Sequence, residues 1–266
     1  MDVPLTEEAT PARADAVVSK VEIPQYRLRG ILAVWAAAAL PIGALAWLVA
    51  PALKDHLSGE GNVPMAKALF LLLTAGLIWQ FVLVVLLVWR EQGTLRWSIV
   101  REALWLRSPR SPRSGRIGGR VWLILIPLIL ALGAEALIPT PPHAENRDFG
   151  DFLSSDAGQH FLSGAWGWYA LILLLFLFNT VLGEELLFRG LLLPRMNGAF
   201  GRGDWLANGL LFAGYHLHVP WVIPAGLLDT FILAYPTKRF RSTWIGIAVH
   251  SSQSVVFAII VFTYVL

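Results

Sequence analysis

The chain reads as an all-α protein, a polytopic bundle of about seven (seven to eight) membrane-spanning helices. Three observations predict this class. Hydrophobic residues fill 56% of the 266 positions and charged ones only 15%, well below the quarter usual in soluble domains. Several apolar runs reach the ~20 residues needed to cross a bilayer. Arginines gather between these runs, as they do in cytosolic loops.

Residues 1–26 are polar, begin with acids and lack the basic and apolar regions of a cleavable signal. They are expected to form a flexible cytosolic tail ahead of a single transmembrane helical domain over 27–266. Spans are predicted at 30–50, 66–89, 121–138, 166–193, 204–218, 220–236 and 243–265. Segment 90–120 carries eight arginines against two glutamates, which places it in the cytosol. Its LRWSIVREALWLR stretch has the pattern of an interfacial amphipathic helix, and the Ser/Pro/Arg/Gly residues after it read as a loop. Loop 139–165 holds four acids and one arginine and belongs on the opposite face. Basic turns near 194–203 and 237–242 return to the cytosol. Trp89, Trp122, Trp166, Trp168 and Trp205 stand near span ends, as interfacial belts do.

There is no cysteine, which excludes disulfides, thiolate zinc sites and a thiol nucleophile. The net charge of +3 resides in loops, so topology accounts for it and no nucleic-acid partner is implied. No internal repeat is evident, which removes support for an inverted-repeat transporter. The expected location is a bacterial inner or plasma membrane, multi-pass, with the amino terminus in the cytosol. The expected partners are the lipid bilayer and a membrane protein or peptide substrate.

The stretch GEELLFRG, residues 183–190, follows an uncharged apolar run. Ionisable residues are costly within a membrane and usually face a cavity or a partner. Glu185 and Arg189 are four residues apart, so they share a helix face and can pair. Glu184 points about 100° away and stays free for chemistry. Counting from the basic turns, Glu184, His216 and His250 each lie about twelve residues, or ~18 Å, into the membrane. Three ionisable groups at one depth on three helices suggest one site, entered from the basic-loop side. His143, His160 and His218 read as packing or interfacial histidines, Glu135 as interfacial, and Asp229 as a supporting or helix-bridging group.

Together these residues resemble the CPBP family, the CAAX-protease and bacteriocin-processing intramembrane endopeptidases. The EExxxR motif is present as Glu184, Glu185 and Arg189, and FxxxH as Phe212 and His216. The terminal histidine motif is approached as HSSQS, from His250 to Ser254. The resemblance covers about 166–260 and implies a family-like catalytic core there. It departs at Ser254, where the family usually has Asn or Asp. The resemblance implies an endopeptidase that hydrolyses a peptide bond of a membrane-associated protein or peptide through an activated water. Glu184 would be the general base, aided by His216. His250, with Ser254, would hold the oxyanion, and Gln253 could stand in for Ser254. Glu185, Arg189 and Phe212 would support them. No cofactor is favoured, although Glu184, His216 and His250 also make a conceivable zinc set. Two other functions compete: a non-catalytic immunity or scaffold protein of the same fold, and a proton-coupled transporter.

Overall fold

The computed structural model describes residues 21–266. Most of the expected tail therefore lies outside the described residues. The described chain is helical, and its only β-type pairing is an isolated bridge between Arg110 and Ile117. Five helices are long and apolar enough to cross a membrane: α1 (Leu28–Lys54), α2 (Val63–Gln92), α4 (Gly119–Leu137), α7 (Trp166–Arg195) and α10 (Thr243–Val265). Among the shorter helices are α3 (Trp97–Ala103), α5 (Phe149–Ser154), α6 (Asp156–Leu162), α8 (Asp204–Tyr215) and α9 (230–240).

The expectation of about seven spans is met only in part. Segments 204–218 and 220–236 form a hairpin of short helices. At 1.5 Å per residue the twelve residues of α8 cover ~18 Å, short of a ~30 Å hydrocarbon core. The chain then breaks at His216, turns through 217–222 and returns as α9. The Lys238 ammonium meets the buried Asp204 carboxylate, so both ends of the hairpin lie on one face. Gly209 lets the legs touch, because a Cβ there would overlap Thr230.

A backbone that breaks inside a membrane needs partners for its polar groups. Tryptophan indoles supply several. Trp35 of α1 donates to the Leu211 carbonyl and Trp47 to that of Leu217, each at 2.8 Å. Pro41 has no N–H for the Ala37 carbonyl one turn earlier. Trp79 of α2 donates to that carbonyl at 2.8 Å instead. Gly76 brings α2 against Ile42 of α1, the close approach that small residues permit between membrane helices.

The principal core joins α1, α2, α7, α8 and α10 around Leu187, Phe188, Leu191, Phe212 and Tyr215. A second cluster, with Phe70, Phe152, Leu162 and Val261, fastens α5 and α6 across the far ends of α2, α7 and α10. Leu48, Leu130 and Ile259 are exposed, as lipid-facing residues should be.

At the arginine-rich face, Arg195 closes α7. Its guanidinium is fully buried and donates to both carboxylate oxygens of Glu91 at 2.5–3.0 Å, and to the carbonyls of Ala103 and Leu191. The Tyr26 hydroxyl also donates to Glu91. Gln25 donates to the Pro194 carbonyl at 3.0 Å and accepts from the Gly198 amide. The residues just before α1 are thus fastened to the end of α7. Removing one partner of a buried pair costs about 3–5 kcal/mol, so Arg195→Ala should lower the unfolding midpoint of the detergent-solubilised protein sharply. Arg195→Lys keeps the charge without the fork and should fall between.

Candidate functional site

The site starts from the winding of α7. Phe178–Gly183 and Leu186–Leu192 run as π-helix, on either side of the glutamate pair. Such widened turns are frequent at functional sites. Gly183 lies where α2 crosses, since a Cβ there would press on the Leu77 carbonyl at 3.3 Å and Gln80 at 3.5 Å.

Glu185 and Arg189 do share a face. Both side chains are fully buried, with Arg189 Nη1 3.4 Å from Glu185 Oε1. The same Oε1 is 3.1 Å from His250 Nδ1. A carboxylate oxygen accepts, so Nδ1 carries the proton and donates. One carboxylate thus joins α7 to α10. Gly246 makes room for it, because a Cβ there would collide with Glu185 Oε2. The Phe212 ring lies 3.9 Å beneath the Arg189 guanidinium, a cation–π contact. Phe212 also meets His216 edge-on at 5.0 Å and His250 at 6.0 Å. The phenylalanine of FxxxH is therefore the surface on which the arginine and both histidines pack.

Glu184 is buried but outside this ion-pair cluster. It lines a cavity of about 390 Å³ with His216, His218, Gln253 and Ser254. Tyr215, fully buried, accepts from Gln80 at 2.5 Å and interacts through its hydroxyl with Glu184. His216 Nδ1 is 3.0 Å from the Phe212 carbonyl. A carbonyl can only accept, so Nδ1 is the donor and Nε2 keeps its lone pair.

His250 opens into a neighbouring cavity of about 680 Å³ with Glu135, Asp229 and Gln253. Asn179, His216, Val222, Gln253 and Phe257 line both cavities and form the wall between them. Ser254 lines the Glu184 cavity and not that of His250, whereas Gln253 reaches each. Glu135 is not merely interfacial. It ends α4, but Oε1 is buried and the carboxyl sits against Asp229. His218 likewise lines the Glu184 cavity rather than serving in packing alone.

The expected approach from the basic side gains no support from the lining of the cavity. The Glu184 cavity runs between α1, α2, α7 and α10 to Asn146, Arg147 and Asp148, in the acidic loop over 139–165. The α8–α9 hairpin turns through 217–222, and Val219 and Val222 of the turn line the cavity together with residues 146–150 of that loop. Trp221, in the turn, donates to Asp148 at 2.7 Å and stacks on His143. His143 is also 2.8 Å from Asp151. The Pro141 carbonyl first, and then Asp151, hold the His143 pKa above its ordinary value. This contact is therefore strongest at low pH and weakens as pH rises through the raised pKa.

His143, Asp148 and Asp151 are the one group among the described residues whose potential metal-ligand atoms lie within 4.8 Å of one another. Glu184, His216 and His250 do not converge in this way, and Glu185 occupies Nδ1 of His250. The zinc set conceivable from sequence is therefore not assembled. Gln80, Asn179 and Tyr215 were missed in the sequence reading. Gln80 and Asn179 carried a usable signal, each a lone amide within an apolar run. Tyr215 carried none.

Residues 166–256 match the family model described as type II CAAX prenyl endopeptidase Rce1-like. No curated protein and no solved structure matches the chain. The matched region starts with α7 and ends within α10, so it holds both glutamates, Arg189, Phe212 and the three cavity histidines, His216, His218 and His250. Over residues 166–256 the chain therefore carries a domain of the Rce1-like CAAX prenyl endopeptidase family, set in a bundle of helices able to span a membrane.

Proposed function

We propose that this protein is an intramembrane endopeptidase that cleaves a membrane-associated protein or peptide by a glutamate-activated water. One observation carries the reading. Two adjacent carboxylates have unlike surroundings: Glu185 is held by Arg189 and His250, while Glu184 faces a cavity beside His216. A carboxylate outside any ion pair, facing a cavity with ample room for water, suits a general base.

In this reading Glu184 takes a proton from a water held in the cavity, and the water oxygen attacks the scissile carbonyl. The lone pair at His216 Nε2 helps hold that water. As the carbonyl becomes an oxyanion, Gln253 and Ser254 donate to it from α10. Gln253 reaches both cavities and can take the place that Asn or Asp has in the family. The proton on Glu184 then passes to the leaving amine. Glu185 and Arg189 keep α7 and α10 in register. The domain's family favours a CAAX-type peptide as the substrate.

The arginine bias of 90–120 would place that face in the cytosol, so the cavity would lie on the other side. Asn146 and Ser108 are both exposed, and no native cysteine competes. In intact cells an impermeant thiol reagent should label Asn146→Cys, but Ser108→Cys only after permeabilisation. The reverse pattern would invert the orientation.

Glu184→Gln should lower cleavage by about 10²–10⁴-fold, the usual contribution of a general base, with an unchanged unfolding midpoint. Near-normal cleavage would rule out the base and favour a scaffold role. Arg189→Ala leaves Glu185 short of its cation and should cost about 3–5 kcal/mol of stability. The pair Glu185→Gln with Arg189→Gln should recover folded protein but not cleavage, since His250 also loses its carboxylate. Unfolding in detergent and peptide cleavage, measured side by side, separate the two effects.

A further inference from the structure

We propose that a pocket on the arginine-rich face binds a phosphate group, carried either by an anionic lipid headgroup or by free phosphate. The pocket holds about 450 Å³ and is lined by Arg101, Arg107, Arg110, Arg241, Glu102 and Trp244, among others. Four guanidiniums thus face one carboxylate. Arg107 takes one Glu102 oxygen at 3.0 Å, and Arg101 stands 3.6 Å from the other. Arg110 and Arg241 have no carboxylate partner among the described residues. A guanidinium fork matches two oxygens of a phosphate, and the excess positive charge calls for an anion.

The backbone points to a built site. Trp105 and Arg241, at φ 50° and 49°, are the two non-glycine residues with positive φ among the described residues; Arg241 lines the pocket and Trp105 directly precedes its lining residue Leu106. Left-handed backbone is unfavourable for such side chains and tends to persist where the surroundings impose it at a functional site. Here Arg107 Nε donates to the Arg241 carbonyl at 3.1 Å. Ser242 Oγ donates to the Arg107 carbonyl at 2.6 Å, and the Thr243 amide to that of Trp105 at 3.0 Å. These bonds fix the loop against the start of α10 and hold the guanidiniums around one space.

The surroundings set the depth. Ile117, which lines the pocket, is 68% exposed, and Trp97, one turn before Arg101 on α3, is 60% exposed. Exposed tryptophan and aliphatic side chains next to arginines mark the headgroup level of a bilayer. Phosphate there would bridge the loop to the helix that carries His250.

The test uses the full chain, purified in uncharged detergent, with three probes: short-chain phosphatidylglycerol, short-chain phosphatidylcholine and inorganic phosphate. Phosphatidylglycerol should raise the unfolding midpoint and remain bound in native mass spectrometry, and phosphatidylcholine should bind at least tenfold more weakly. Inorganic phosphate matching phosphatidylglycerol would assign the site to the free anion, and phosphatidylglycerol alone to a headgroup. Arg101→Gln with Arg110→Gln, both exposed positions, should lower the apparent affinity at least tenfold without shifting the lipid-free midpoint. In the wild type, salt at about 0.5 M should weaken binding. Equal binding of both lipids, binding insensitive to salt, no binding of any probe, or an unchanged affinity in the double variant would overturn the site.

Discussion

A single buried carboxylate, that of Glu185, governs the arrangement of the domain. Alone in an apolar interior it would be untenable. Arg189 neutralises it along α7, and His250 reaches it from α10 at 3.1 Å. Phe212 then covers the guanidinium from α8. Three helices converge because one charge needs partners, and Gly246 exists at the contact because the carboxylate fills the space of a side chain. The cluster has little tolerance for partial loss: each member left alone is a polar group without water.

This constraint frees the neighbouring residue. With Glu185 taken up, Glu184 on the adjacent face is left with Tyr215 and a cavity. Tyr215 itself is held by Gln80 of α2. Two like side chains in sequence thus acquire unlike surroundings, and on that difference the proposed division between chemistry and support rests. The break after Tyr215 contributes as much. A continuous helix would fill the half of the bundle beyond His216, whereas the hairpin leaves room there. Indole donors from α1 make the break tolerable by satisfying the carbonyls of Leu211 and Leu217.

The two faces of the bundle are consequently unlike. Around Arg195, Lys238 and the 97–118 segment the chain is tied by buried ion pairs and backbone bonds. Toward loop 139–165 the cavity is lined by residues 146–150 and by Phe152 of α5, with Trp221 bonded to Asp148 beside them. In the proposed reading, the ion pairs are held still at the basic face while a substrate would enter from the acidic one.

The amino-acid sequence by itself determined that the protein is helical and able to span a membrane, because apolar run length and arginine placement are local properties. It also determined the pairing of Glu185 with Arg189, since four residues on one helix fix that geometry, and it marked Glu184, His216 and His250 through motif and depth. Hydropathy could not separate a short hairpin from two crossings, as both are apolar and both return the chain to one face. Nor could helical spacing show that His250 answers to Glu185, that Glu135 and Asp229 meet, or that Gln253 faces both cavities. Those contacts join residues from 65 to more than 90 positions apart. Only the packing of the helices decides them, because the direction of each side chain depends on how its helix is rotated against the others.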